Sequence, residues 1–152
     1  ENAAFLRTQI ERITEFFAPS EVDDIWITFP DPHLRTSKAK KRLTHPVFLR
    51  LYNKILKPEG TIRLKTDSPK LYEFTKKVIN KYNLRLIEDC DDVHTKSNLE
   101  SLKIKTHYEN LDIAQSKKIF YLQFALPEII PMLDEELQEE LKQTENQEEI
   151  IN

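Results

Sequence analysis

Apolar positions recur along this chain with two spacings. Between Phe5 and Phe17 they fall at Leu6, Ile10, Ile13, Phe16 and Phe17, the three-to-four spacing of one helical face. Ala18-Pro19-Ser20 closes that pattern. Asp24 to Phe29 is nearly all apolar and predicts a strand buried on both faces, as in a parallel sheet. Helical spacing returns after Thr44, placed to cap a helix with Pro46 in its first turn. Val47, Phe48, Leu51, Tyr52 and Ile55 line that helix until Pro58-Glu59-Gly60 stops it. Thr61 to Lys65 predicts a second strand, and Ser68-Pro69 opens a helix to about Lys81, with Leu71, Phe74, Val78 and Tyr82 inward. Leu84 to Glu88 predicts a third strand, Asp89 to Glu100 a polar loop, and Ile119 to Ala125 a last strand. Strands alternating with amphipathic helices predict an α/β chain with βαβ units and a parallel sheet.

Beyond the sheet, Leu133, Leu137 and Leu141 stand four apart and predict a short helix, with disorder expected past Gln143. This divides the chain into a body, residues 1–133, and an acidic tail, residues 134–152. The tail holds eight acids and one lysine, so the formal charge of −3 splits into −7 on the tail and +4 on the body. A mildly basic body admits a nucleic-acid partner without requiring one, because exposed cations also serve simply to solvate a face. The single cysteine, Cys90, excludes a disulfide framework, fits a reducing compartment and reads as a small packed residue. No stretch reaches the length of a membrane span. His33, His45, His94 and His107 lack ligand spacing, so no metal site is read. Nor is there a Ser/His/Asp arrangement or a glycine loop for phosphate. Gly60 is the only glycine in 152 residues, whereas adenosyl groups in doubly wound sheets rest on a glycine turn after the first strand. The chain also starts with Glu1. Both facts lead us to expect the carboxyl-terminal portion of a longer protein.

Candidate chemistry gathers where strands end. Ile25-Trp26-Ile27-Thr28-Phe29-Pro30-Asp31-Pro32 is a strand running into a turn whose two prolines restrict the backbone around one carboxylate. Asp67 follows the second strand in the same way. Ligands of open α/β sheets bind beyond the carboxyl edge, so Asp31 and Asp67 are placed to face one cleft; each also suits a plain turn or cap. Arg35, Lys38, Lys40, Lys41 and Arg42 follow Asp31 at once, as phosphate contacts or as a solvated loop. Thr106-His107-Tyr108-Glu109 reads either as base stacking by Tyr108 with hydrogen bonding by Glu109, or as a helix start with Tyr108 packed.

Four segments in this order and spacing, Phe29-Pro30-Asp31-Pro32 with the basic run, Lys65-Thr66-Asp67, Asn98-Leu99-Glu100 and Thr106-His107-Tyr108-Glu109, resemble the bacterial tRNA (guanine-N7-)-methyltransferases. The resemblance covers about Phe5 to Ala125. It implies a Rossmann-like class I methyltransferase sheet, mostly parallel with an antiparallel last strand, whose amino-terminal strands and glycine motif lie outside this chain. It implies S-adenosylmethionine as methyl donor, a guanosine of the tRNA variable loop as acceptor, and a cytoplasmic enzyme. By the same resemblance Asp31 is the catalytic carboxylate at the donor–acceptor junction, and Gln9 stands where an aspartate flanks the adenosyl group. Arg35, Asp67, Thr106, His107, Tyr108 and Glu109 hold the tRNA or its target base, and Lys38, Lys40, Lys41 and Arg42 contact RNA. With Gln9, four positions depart from the family pattern: His33 replaces a tryptophan, and Ser37 and Lys38 replace an arginine and a histidine. The competing expectations are a catalytically silent RNA-binding fragment lacking the donor site, and an interaction fragment whose acidic tail covers its own basic loop. A sheet edge left open would also expose the chain to homo-oligomerisation or to pairing with another chain.

Overall fold

The computed structural model describes residues 2–110 and 118–151. The order of elements is β1 (Val22–Thr28), α1 (Pro46–Ile55), β2 (Leu56–Thr66), α2 (Pro69–Lys81), β3 (Arg85–Cys90), the one-turn helices α3 (Val93–Lys96), α4 (Glu100–Lys103) and α5 (His107–Asn110), β4 (Phe120–Ala125) and α6 (Asp134–Ile151). Two 3-10 segments, Ile10–Glu15 and Thr36–Lys41, flank β1 in sequence.

The strands lie side by side as β1-β2-β4-β3. β1 and β2 are parallel, and β4 runs antiparallel to both β2 and β3. The mixed sheet with an antiparallel last strand is therefore present. Alternation decides its two faces. Ile25, Ile62 and Phe124 share one row, and Ile27, Leu64 and Leu122 the next. These rows form the main core with Phe48, Leu49 and Tyr52 of α1 and Leu71, Phe74 and Val78 of α2. The opposite rows, Trp26-Arg63-Gln123 and Thr28-Lys65-Tyr121, are aromatic and polar. A smaller cluster of Cys90, Val93, Leu102, Ile119 and Tyr121 sits there, with Phe29 and Tyr108 against it.

Several expectations are corrected. β1 is not buried on both faces: of its residues only Ile27 is buried, and Trp26 is 43% exposed. It is the edge of the sheet, and its polar-side residues Asp24 and Trp26 face away from the helices. The helix expected over 5–17 reduces to the 3-10 turn Ile10–Glu15, which buries no residue. Its apolar stripe meets little to pack against, and a helix this short needs tertiary burial to persist. The cap of α1 is His45, whose Nδ1 accepts from Val47 N at 3.1 Å, rather than Thr44, whose hydroxyl bonds Thr75 at 2.8 Å. β2 begins at Leu56, not Thr61, with its register broken between Leu56 and Thr61 by a bulge. Gly60 closes that bulge, where a Cβ would come within 2.8 Å of the Asp23 carbonyl. The polar loop expected over Asp89 to Glu100 gives its first two residues to β3, contains α3 and ends where α4 begins. Finally, α6 continues to Ile151 instead of fraying at Gln143. Asp134, Glu135 and Glu136 in its first turn complement the helix dipole. The last tail residue, Asn152, lies outside the described residues.

Candidate functional site at the carboxyl edge of the sheet

β1 makes its last ladder bond from Phe29 N to Lys65 O at 2.8 Å, and the chain then leaves the sheet. Phe29 (φ 48°) and His33 (φ 42°) both adopt the left-handed conformation, which costs a residue other than glycine on the order of 1–3 kcal/mol. Between them lie Pro30, Asp31 and Pro32. Asp31 Oδ1 accepts from His33 N at 2.9 Å, and the side chain remains 71% exposed. The carboxylate is thus fixed by its own turn and presented to solvent.

Two contacts hold this strained turn. The Phe29 ring packs 5.0 Å from the Tyr108 ring. Arg42 donates to the carbonyls of Pro32 at 3.1 Å and His33 at 3.0 Å, with its guanidinium 4.5 Å over the Phe74 ring. Arg42 is only 5% exposed. Its Nε and Nη2 donors are engaged by the backbone of the Asp31 turn rather than presented at the surface. Arg35, Lys38, Lys40 and Lys41 are exposed on and before the 3-10 turn, in which Ala39 is the buried residue.

Asp67 accepts from the Tyr108 hydroxyl at 3.1 Å. Burial, then Asp67, pushes the Tyr108 phenol above its ordinary pKa. One side chain therefore touches both strand ends: Phe29 after β1 by its ring and Asp67 after β2 by its hydroxyl. Tyr108 is placed by α5, whose start is a capping box. Thr106 Oγ1 accepts from Glu109 N at 3.3 Å, and Glu109 Oε2 accepts from Thr106 N at 2.7 Å. Lys65 Nζ donates to the same Oε2 at 3.0 Å and to the Ile104 carbonyl at 3.1 Å. His94 Nε2 lies 3.0 Å from Oε1. Burial pushes the Glu109 pKa up, but the Thr106 amide and Lys65 outweigh it and hold the carboxyl below its usual range.

Glu109 is 4% exposed with both oxygens engaged, in the helix-start arrangement rather than at an open face. Thr106 is likewise used as the cap, Tyr108 is half-buried, and His107 is exposed. Gln9 is exposed just before the first 3-10 turn, its carbonyl accepting from Arg12 N at 3.0 Å and its side chain making no cap bond. In the sequence Lys65 enters only within Lys65-Thr66-Asp67, and His94 only among the histidines that lack ligand spacing. A lysine between Leu64 and Thr66 in a core strand was the available signal, since a lysine that deep needs a buried anion. Among the described residues no group of three His, Cys, Asp or Glu could hold a metal ion, and no helix is long and apolar enough to cross a membrane.

A family model described as putative methyltransferase matches residues 1–122. The chain is 46% identical over 129 residues to a tRNA (guanine-N(7)-)-methyltransferase of Porphyromonas gingivalis, covering 84% of this chain and 52% of that protein. It is 43% identical to that of Bacteroides thetaiotaomicron, covering 84% and 50%, and 38% identical to that of Christiangramia forsetii, covering 83% and 57%. The chain spans about half the length of these curated relatives. The matched stretch takes in the Asp31 turn, the basic segment, Asp67 and the Lys65–Glu109 anchor, so this carboxyl-edge site lies within a chain that belongs to the putative methyltransferase family.

Proposed function

We propose that the protein containing this chain transfers a methyl group from S-adenosylmethionine to N7 of a guanosine in the variable loop of tRNA, acting in the cytoplasm, and that this chain supplies the acceptor side. The observation that carries the reading is Asp31, held between two left-handed residues and exposed beside a basic turn. Guanine N7 has a free lone pair, so attack on an electrophilic methyl requires no prior deprotonation. The developing charge on the ring is cationic, and a fixed carboxylate stabilises it without reorganising. Asp67, beyond the end of β2, is the second carboxylate able to accept from the guanine edge. Arg35, Lys38, Lys40 and Lys41 position the phosphate backbone.

S-adenosylmethionine supplies the methyl as a sulfonium when bound. The residues present do not form its pocket alone. Gly60, the chain's only glycine, is enclosed in the β2 bulge, so no strand-to-helix glycine turn exists among the described residues. Each role assigned here is therefore on the acceptor. The edge strands β1 and β3 are where a second copy of the chain would pair.

The test is Asp31→Ala in the full-length protein, assayed for methyl transfer and for tRNA binding. Transfer falls by at least about a hundredfold, the loss typical of a missing electrostatic stabiliser, while binding persists. Near-normal turnover overturns the role of Asp31. Binding without transfer by the unmodified full-length protein would leave only an RNA-binding module.

A further inference from the structure

The acidic helix α6 and the lysine-bearing helix α2 form opposite walls of one open groove of about 960 Å³. Lys70, Lys76, Lys77 and Lys81 stand on the α2 side, and Glu140, Glu145 and Glu148 on the α6 side. The base of α6 is tied down. Leu137 is fully buried, Gln138 Nε2 donates to the Thr36 carbonyl at 3.3 Å, and Lys81 Nζ meets Glu140 at 2.6 Å. Along the face that begins with Leu137 and Leu141, the next positions at helical spacing are Thr144 or Glu145, then Glu148. The α6 stripe thus changes from apolar to acidic along the groove, opposite lysines that recur along the whole of α2. Burial lowers the pKa of Arg42 and Glu145 only partly opposes it, placing the acidic stripe within the field of the Asp31 clamp. Lys40 and Lys41 line a different groove, with Ile10 and Phe48, so the tail leaves that basic face uncovered.

We propose that the lysine face of α2 is a second phosphate-contacting surface for RNA, and that the acidic stripe of α6 occupies it as an intramolecular competitor until RNA displaces it. The inference rests on the tRNA-binding reading above and extends it to a surface outside the Asp31 turn. Lysines already paired with α6 neutralise fewer phosphates and so release fewer of the counterions condensed on RNA, and the competitor therefore reduces both affinity and salt dependence.

The experiment measures tRNA binding by the full chain across a salt series. Compared are the unmodified chain, E140Q/E145Q/E148Q, and the charge-matched control E59Q/E88Q/E128Q, whose changes lie outside the groove. The tail variant binds about tenfold more tightly than the control, with a salt slope steeper by about two. Adding K70A/K77A to the tail variant removes that gain, whereas K70A/K77A in the unmodified chain changes affinity by less than about twofold. Equal affinities for the tail variant and the control overturn the inference, leaving a general charge effect. A tail gain that survives K70A/K77A overturns it as well. If no form binds tRNA, the underlying reading fails with it; if the unmodified chain binds and only the tail effect is missing, that reading stands.

Discussion

Lys65 Nζ lies 3.0 Å from the Glu109 carboxylate, and the two side chains are only 3% and 2% exposed. The pair joins the end of β2 to the short helix carrying Tyr108, so it fixes the covering segment over the sheet edge. A buried pair is costly to break, because removing one partner leaves an uncompensated charge, at about 3–5 kcal/mol. Lys65→Met is therefore expected to destabilise strongly. Lys65→Met with Glu109→Gln should recover part of that loss, since the amide keeps the Thr106 capping bond and loses the charge. Urea denaturation of the single and double variants measures the coupling. Strictly additive losses would show that the two residues act independently.

His45 gives the fold its first acid sensitivity. Its Nδ1 must stay unprotonated to accept from Val47 N, and burial lowers its pKa to about 4, against Asp134, which raises it. The unfolded chain takes up this proton near pH 6.5. Between pH 6.5 and about 4 the unfolded state binds more protons, so stability falls as pH falls, by up to about 3 kcal/mol. Asp134 and Glu109, whose pKa values are lowered, contribute stability present above the ordinary carboxylate range and lost only as pH drops through their lowered values. His45→Asn keeps a capping acceptor and should flatten the curve between pH 6.5 and 4 while leaving the steeper loss below it. An unchanged curve would assign the upper window to another group.

Much of the architecture was legible from spacing. Leu71, Phe74 and Val78 face inward on α2, and Ser68 caps it by accepting from Leu71 N at 3.2 Å, because period, cap and proline all agree there. The Asp31 turn was legible for the same reason: two prolines and a strand end point to one carboxylate. What spacing could not reveal was the use of charge. Arg42 and Lys41 are neighbours in one basic run, yet Arg42 is buried on Phe74 and Lys41 is exposed. Glu109 in Thr-x-x-Glu was open to two readings, and only the distant Lys65 decides between them. The apolar run of β1 predicts burial on both faces, yet only Ile27 is buried, since such burial depends on neighbours that a strand's own residues do not specify.

Asp134 latches the acidic helix to the body. Arg50 donates to its two oxygens at 2.8 Å each, and the Tyr82 hydroxyl donates to Oδ1 at 2.6 Å. The bidentate pair is about one-fifth exposed, so it is worth more than a surface ion pair. Asp134→Ala should cost about 2–3 kcal/mol and release α6 locally. Hydrogen exchange should then quicken in α6 well before α2. Uniform quickening across both helices would mean that α6 unfolds only with the whole chain.

Arg42 and the pair Lys40 and Lys41 should respond in opposite ways to neutralisation, although they are adjacent in sequence. Lys40 and Lys41 are exposed, so K40A/K41A should leave the melting temperature nearly unchanged and lower the salt slope of tRNA binding by about two. Arg42→Ala removes the donors that hold the carbonyls of Pro32 and His33 and the stacking on Phe74. It should destabilise by about 2–4 kcal/mol, while fully folded protein keeps its salt slope. Thermal melts paired with binding at several salt concentrations separate the two. A change in slope without loss of stability in Arg42→Ala would place its guanidinium on the RNA after all, and the strained turn around Asp31 would need another clamp.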